Sequence, residues 1–341
     1  MPDRLNCPMH DLSRGLIVVT GGAGLIGSGV IWGLNQRNLN NIWLVDEEVS
    51  SGPKEKNLKN LSFQKQTNPQ DFRELVKRKS NELNHIQTVI HLGACSSTTE
   101  SNEAFLNDNN LAYTKDLCLW SLSRKVRFVY ASSAATYGDG SMGMDDSTEE
   151  IVKFQPLNLY GWSKQKFDLL AQENRWLDRI VGLKYFNVYG PNEEHKGNMR
   201  SVVSKAYEQI IQTGEMNLFK SLRPDYGDGE QMRDFLYVKD AVNMTIWLTA
   251  NNQANGLFNL GSGKARTWLD LGRSIFMALR KEPAIRFIDM PETLRDKYQY
   301  FTEANITKLK NAGYNSQLFD LEDAVCDYVR NYLMKDKRLG A

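Results

Sequence analysis

The fold class this sequence predicts is a doubly wound, parallel α/β sheet, and three observations predict it. Short apolar runs at residues 16–19, 42–45, 88–92, 126–130 and 180–186 alternate with stretches of helical spacing, the pattern of strands joined by crossover helices. The first run leads into Thr20-Gly21-Gly22-Ala23-Gly24-Leu25-Ile26-Gly27-Ser28, where Gly21, Gly24 and Gly27 recur at every third position ahead of a helix. The second run ends in Asp46, about 20 residues past the last glycine, where an acidic side chain would hold a ribose. Glycines so placed let the backbone turn tightly, approach a pyrophosphate and pack helix against strand. The helix N-terminus then offers unpaired N–H groups to a phosphate. The stretch reads as a dinucleotide site on a Rossmann-type sheet.

With 341 residues the chain is long enough for such a sheet and a smaller lobe. Its 42 basic and 41 acidic residues leave a formal net charge of +1, so no global field would draw nucleic acid or an anionic membrane. Cys7, Cys95, Cys118 and Cys326 are scattered without a C-x-x-C pair, and there are four histidines, so neither a zinc site nor a disulfide framework is expected. That usage suits a reducing cytoplasm. Residues 1–14 hold Asp3, Arg4, His10, Asp11 and Arg14 without an apolar core, which excludes an ordinary secretory signal and reads as a loose extension. No apolar run approaches the ~20 residues that span a bilayer.

In order, residues 47–60 read as a polar loop holding Lys54, Lys56 and Lys59, followed by a weak strand at 61–64 and a helix from about Pro69. The strand at 88–92 runs into Gly93-Ala94-Cys95-Ser96, small residues over which a cofactor could pass. A helix over 103–123 follows, then the strand at 126–130, which runs into Ala131-Ser132-Ser133-Ala134-Ala135-Thr136-Tyr137-Gly138. A further helix begins near Tyr160, and the strand at 180–186 closes in Asn187-Val188-Tyr189-Gly190-Pro191. Beyond Pro191 the pattern loosens into a second lobe, with strands at 234–238 and 257–261 expected to rejoin the first sheet. The division predicted is an extension at 1–14, a dinucleotide unit at 15–190 plus about 234–262, and a C-terminal α/β substrate lobe at 191–233 and 263–341. Trp32, Trp43, Trp120, Trp176, Trp247 and Trp268 fall within expected elements and read as packing.

Tyr160 and Lys164 have the spacing Y-x-x-x-K, so on a helix both side chains leave one face a turn apart. An ammonium beside the phenol would favour its ionised form and fit it for proton exchange with a sugar hydroxyl. Ser133, at the end of a parallel strand, could share the substrate's hydrogen bond or satisfy its own turn. Arg233 could grip a diphosphate with paired hydrogen bonds or pair with Asp234 at the surface. Cys95 lacks an activating histidine and reads as a small residue lining the cofactor groove. Lys196, in His195-Lys196-Gly197-Asn198, reads from its residues alone as a solvated loop lysine.

Together the glycine fingerprint, Ser133, Tyr160 and Lys164 resemble the extended short-chain dehydrogenases/reductases, the family of nucleotide-sugar epimerases and dehydratases. A narrower resemblance, to the ADP-heptose 6-epimerases of that family, rests on five stretches. They are His91-Leu92-Gly93-Ala94-Cys95-Ser96-Ser97-Thr98-Thr99-Glu100, the run 131–138, Pro156-Leu157-Asn158-Leu159-Tyr160-Gly161, Tyr185-Phe186-Asn187-Val188-Tyr189-Gly190-Pro191 and His195-Lys196-Gly197. The resemblance implies inversion at C6 of an ADP-heptose through a transient ketone, with Tyr160 and Lys196 as acid/base groups on opposite faces. It implies cofactor contacts at Gly21, Gly24, Leu25, Ile26, Gly27, Asp46, Glu47, Lys54, Leu92, Gly93, Ala94, Cys95, Ser96, Asn109, Tyr160, Lys164 and Val188. Substrate contacts are implied at Asn187, Asn198, Lys205, Phe219, Lys220, Arg233 and Tyr298. It also implies a cytoplasmic homo-oligomer. NADP is expected, with Lys54 meeting its 2′-phosphate, while Asp46-Glu47 keeps NAD open. Lys205 stands where that family usually has histidine, and the segment 220–232 is longer than its pattern. The rivals are another nucleotide-sugar epimerase, such as a 4-epimerase, a dehydratase, and a binding-only member. Thr136-Tyr137-Gly138 lacks the Asp-Glu pair of dehydratases, and a binding-only member would have lost Tyr160 or Lys164.

Overall fold

The computed structural model describes residues 9–47, 51–295 and 298–341; Asp3, Arg4 and Cys7 lie outside them. In chain order the strands are β1 (Leu16–Thr20), β2 (Ile42–Val45), β3 (Lys65–Thr67), β4 (Ile86–His91), β5 (Arg127–Ser133), β6 (Val181–Tyr185), β7 (Asn187–Tyr189), β8 (Met216–Phe219), β9 (Met232–Tyr237), β10 (Gly256–Leu260), β11 (Ala265–Thr267) and β12 (Ile285–Ile288). Seven of them form one sheet in the order β10-β6-β5-β4-β1-β2-β3, every pair parallel. Order reverses beside β1, so the crevice at the carboxyl ends of β1 and β4 is the place where such a sheet binds ligands.

The two-residue period of β1 builds a core on each side. Ile17 and Val19 pack with Val30, Ile31 and Leu34 of the helix Leu25–Asn35. Val18 faces the other way, towards Trp43, Val89 and Phe128. Both layers are closed to water, and parallel strands covered on both faces read as continuous apolar runs rather than alternating ones.

Several expectations are corrected. Within 47–60, read as loop, Pro53–Leu58 is a helix, started by Pro53 at its first turn, where a missing N–H does no harm. The third strand lies at Lys65–Thr67, later than 61–64. The helix expected over 103–123 contains a π-helical turn at Asn107–Ala112. Of the two strands expected to rejoin the first sheet, β10 does so beside β6. The other, β9, lies instead in a three-stranded sheet, parallel to β7 and antiparallel to β11. Residues 10–12 are not loose. His10 N donates to Ala250 O at 2.7 Å, the His10 ring meets Thr88 Oγ1 at 2.7 Å, Asn41 Nδ2 donates to Leu12 O, and Leu12 is buried.

Beyond Pro191 the helices Val202–Thr213 and Trp268–Leu279 and the parallel pair β8–β12 form a smaller lobe over the carboxyl side of the sheet. No helix among the described residues is long and apolar enough to cross a membrane.

Candidate active site

Gly21 takes a left-handed turn, φ +67°, and comes so near β4 that a Cβ there would lie 2.7 Å from Gly93 backbone atoms. A Cβ on Gly27 would lie 2.0 Å from Gly21 O. The helix that follows begins at Gly24 with no side chain capping it. Asp46 ties the loop to β2: its carboxylate accepts from Ala23 N at 2.9 Å, from Glu47 N at 2.9 Å and from Lys54 Nζ at 3.0 Å. Lys54 therefore neutralises Asp46, whereas Lys56 is turned away to Asp336, 3.1 Å off. Glu47 is exposed.

After β4, Gly93 N donates to Thr20 Oγ1 at 3.0 Å. Cys95 is bracketed by the buried Asn110, which accepts from Cys95 N at 2.9 Å and donates to Cys95 O at 3.0 Å and Ser163 Oγ at 2.9 Å. Asn109 leans on the same amide, its Nδ2 3.1 Å from Asn110 Oδ1. Both asparagines sit on the π-helical turn, a form common where a helix carries function.

The helix Leu159–Glu173 starts at Asn158, whose side chain accepts from Gly161 N at 2.8 Å. This cap sets Tyr160 on the first turn, where its phenol lies near enough to Ser133 for that hydroxyl to favour its ionisation. Ser133 Oγ accepts from Ala135 N at 3.1 Å, the turn-satisfying use expected of it. The acidified phenol is corrected: burial pushes the Tyr160 pKa up, and the Ser133 hydroxyl pulls only partly the other way. The reason is that Lys164 does not aim at the phenol. Its ammonium donates to Ala131 O at 2.9 Å, and burial lowers its own pKa to about 8.

Lys196 is half-buried in the turn Glu194–Met199, and burial holds its amine below the ordinary lysine range against the pull of Glu193. Lys196 is thus less solvated than its loop position alone suggests. Its neighbour His195 reaches the glycine loop, with Nε2 4.0 Å from where a Gly24 Cβ would be, and burial lowers its pKa to about 4. The buried Asn57 clamps the two loops, donating to Ala23 O and to Asn192 O at 3.0 Å each. Asn192 in turn donates to Ser28 Oγ at 2.8 Å and accepts from Leu339 N at 2.9 Å, while Arg338 pairs with Glu194 at 3.2 Å. The C-terminal residues thus hold the Lys196 turn against the glycine loop.

Of the expected substrate contacts, Lys205, Phe219 and Tyr298 line one cavity of about 650 Å³ with Trp268, Val202 and Met216. Arg233 lies behind Tyr298 and is nearly buried. It donates to Met232 O at 2.8 Å and to Gln299 O, and its guanidinium sits 5.2 Å over the Tyr298 ring and 5.7 Å over Trp268. Among the described residues no carboxylate pairs with it. Asp234 instead accepts from Ser262 N and Oγ, Gly263 N and Ala304 N. Asn198 is exposed, its carbonyl 3.5 Å from Lys205 Nζ. Asn187 opens β7 exposed, next to the half-buried Val188. Lys220 does not line the cavity; its ammonium is 3.0 Å from Asp289. The long segment 220–232 folds back on itself, with Arg223 paired to Asp225 and lying over the rings of Tyr226 and Tyr300.

Sequence reasoning missed Asn57, Asn110 and the ligand-facing part of Trp268, which donates from Nε1 to Tyr298 OH at 2.9 Å. It also missed Asp168 and Lys184, buried side by side at 2.8 Å behind Lys164. A signal existed: Asp168 continues the Tyr160–Lys164 stripe by one turn, and Lys184 is a charge inside the apolar strand β6.

Comparison with known proteins follows the same lines. Residues 17–261 match the NAD dependent epimerase/dehydratase family. The chain is 51% identical, over 93% of its length and 98% of the relative's, to an ADP-L-glycero-D-manno-heptose-6-epimerase of Nitratidesulfovibrio vulgaris strain DP4. It is 43% identical to a protein of the same name from Fusobacterium nucleatum, over 94% of this chain and 99% of that one. A crystal structure of the Helicobacter pylori ADP-L-glycero-D-manno-heptose-6-epimerase superposes with a TM-score of 0.76 at 27% identity, over 94% of this chain and 96% of the other. The chain belongs to the NAD dependent epimerase/dehydratase family, among relatives that carry the ADP-L-glycero-D-manno-heptose-6-epimerase name.

Proposed function

We propose that this chain interconverts ADP-D-glycero-D-manno-heptose and ADP-L-glycero-D-manno-heptose by inverting C6. The observation that carries the reading is the pair of unlike acid/base groups: a phenol braced by Ser133, and a half-buried amine of lowered pKa on the His195-Lys196-Gly197 turn. Inversion through a planar ketone needs proton exchange on both faces, and one group cannot serve both. Tyr160 exchanges the hydroxyl proton of one epimer and Lys196 that of the other. Ser133 orients the reacting oxygen, and Lys164, which holds the helix to β5 through Ala131 O, would hold the cofactor ribose.

The residues present fit a nicotinamide dinucleotide, because the helix after Gly24 has no side-chain cap on its N–H groups and the loop before it is built of glycines that let a diphosphate approach the backbone. When bound, the nicotinamide supplies hydride acceptance and return at the sugar carbon. Gly21, Gly24, Leu25, Ile26 and Gly27 would hold its diphosphate, and Asp46, Glu47 and Lys54 its adenosine. Leu92 to Ser96, Asn109 and Val188 would hold the rest. NADP is our choice over NAD, since Lys54 offsets the Asp46 carboxylate that would repel a 2′-phosphate. Residues 15–190 with about 234–262 then serve the dinucleotide, and 191–233 with 263–341 the nucleotide sugar. There the diphosphate would fall to Arg233, with Asn187, Asn198, Lys205, Phe219 and Tyr298 around the rest of the ligand, and Lys220 could join them only by leaving Asp289. A cytoplasmic homo-oligomer is part of the same reading, and light scattering showing a monomer would overturn it.

The direct test incubates the protein with ADP-, GDP- and UDP-linked heptoses and hexoses and reads C6 and C4 stereochemistry by NMR. Inversion at C6 of the ADP-heptose alone is expected. Inversion at C4 of a hexose would favour the 4-epimerase reading.

A further inference from the structure

Behind the site lies a set of buried charges that the reaction itself does not use. Asp168 and Lys184 are both fully buried, and the ammonium meets the carboxylate at 2.8 Å. The carboxylate also accepts from Tyr130 OH at 2.8 Å and from Ser132 Oγ at 2.7 Å, and Lys184 Nζ donates to Thr136 Oγ1 at 2.7 Å. Thr136 Oγ1 then donates to Ser133 O at 2.8 Å, while Lys164, one turn before Asp168, holds Ala131 O. Ala131 and Ser132 before Ser133 and Thr136 after it are therefore each tied to the helix that carries Tyr160, directly or through Lys184.

We propose that Asp168 and Lys184 are positioning residues, which lace the end of β5 to the helix Leu159–Glu173 and so fix the Ser133 hydroxyl against the Tyr160 phenol. A core of this size could be filled with apolar side chains at equal or greater stability, because a buried ion pair gains little over well-packed hydrophobic groups. Its value here is geometric. Its hydrogen bonds reach Tyr130, Ser132 and Thr136, all within three residues of Ser133, and a misplacement of about 1 Å at a reacting group can lower a rate about a hundredfold.

The inference rests on the reading that Ser133, Tyr160 and Lys164 act on the sugar, and the test separates the two. The central variant is Asp168→Asn with Lys184→Met, which keeps an amide whose oxygen can accept from one of the Tyr130 and Ser132 hydroxyls and whose NH2 can donate to the other, and removes both partners of the ion pair. Epimerisation is followed by NMR, cofactor binding by nicotinamide fluorescence, and folding by thermal unfolding. We expect wild-type cofactor affinity and an unchanged KM for the sugar nucleotide, with kcat lower by about ten- to a hundredfold. Thr136→Val, which cuts only the link from Lys184 to Ser133, should lower kcat several-fold in the same manner and covers the case in which the double variant does not fold. Tyr160→Phe is the control. If it is inactive while Thr136→Val and any folded double variant keep wild-type kcat, the positioning role is wrong. If Tyr160→Phe is itself fully active, the reading of the site fails first.

Discussion

The two halves of the site are built on opposite principles. Around Ser133, Tyr160 and Lys164 the buried polar groups are met within the protein: Lys184 neutralises Asp168, Lys164 has the Ala131 carbonyl, and Ser133 has the Ala135 amide. Around Arg233 the reverse holds. A guanidinium only 6% exposed faces two aromatic rings and two carbonyls, with no carboxylate partner among the described residues. The first half is complete within the protein; the second leaves a positive charge for an anionic ligand to complete. Chemistry needs fixed geometry and recognition needs an unmet demand, and the two regions divide these tasks.

The largest effect expected is on the first half. Tyr160→Phe combined with Lys196→Met should abolish epimerisation with the cofactor still bound, since each proton transfer contributes ~10²- to 10⁴-fold. Each single change should spare dismutation of one epimer. Normal turnover of both epimers by the Lys196 variant would remove the two-base mechanism.

Folding free energies sharpen the contrast. Lys184→Met alone strands a buried carboxylate and should cost about 3–5 kcal/mol in urea unfolding. Arg233→Met, which removes a cation without a carboxylate partner, should leave the ligand-free protein as stable as before or more so. A large loss of stability in the Arg233 variant would erase the distinction between the halves.

Acid should act on the first half as well. His91, buried between Thr20 Oγ1 at 2.7 Å and Thr114 Oγ1 at 3.0 Å, has its pKa lowered by burial from 6.5 to about 3. Below pH 6.5 the unfolded chain takes up a proton that the folded chain refuses until about pH 3, so stability falls with falling pH across that window. At pH 5 the share of His91 is about 2 kcal/mol. His91→Gln should flatten the curve of unfolding free energy against pH by that amount, and an unchanged slope would contradict it.

On the ligand side, Arg233→Met should raise KM for the nucleotide sugar about tenfold or more, as loss of a charged hydrogen bond does. The smallest effect belongs to Lys54→Ala, expected to weaken NADPH a few-fold more than NADH in fluorescence titrations, as loss of one partly exposed charge would. A wild-type protein that clearly prefers NADH would overturn the choice of NADP.

Legibility in the sequence followed the same division. The glycine loop, Asp46 and Ser133 stand at or just beyond the carboxyl ends of strands, so each could be found by reading an apolar run to its end. Tyr160 and Lys164 are joined by local spacing. Nothing local joins Arg233, Trp268 and Tyr298, which come from a strand, a helix start and a loop and meet only through the packing of the lobe. Lys205 and Lys220 looked alike in sequence, yet Lys205 sits on the helix Val202–Thr213 that walls the cavity, whereas Lys220 follows β8, whose register with β12 sets it beside Asp289. The ionisation of Tyr160 was misjudged for a similar reason: spacing puts an amine one turn away, but which oxygen that amine chooses depends on where β5 ends.

Arg338 and Leu339 are fastened to Glu194 and Asn192, and Asn192 to Ser28 in the helix behind the glycine loop. Residues 338–339 thus latch the turn that carries Lys196 to the helix of the glycine loop. Clipping them, or burdening them with a bulky fusion, would be felt first as a slackened grip on the dinucleotide, long before the sheet itself noticed the change.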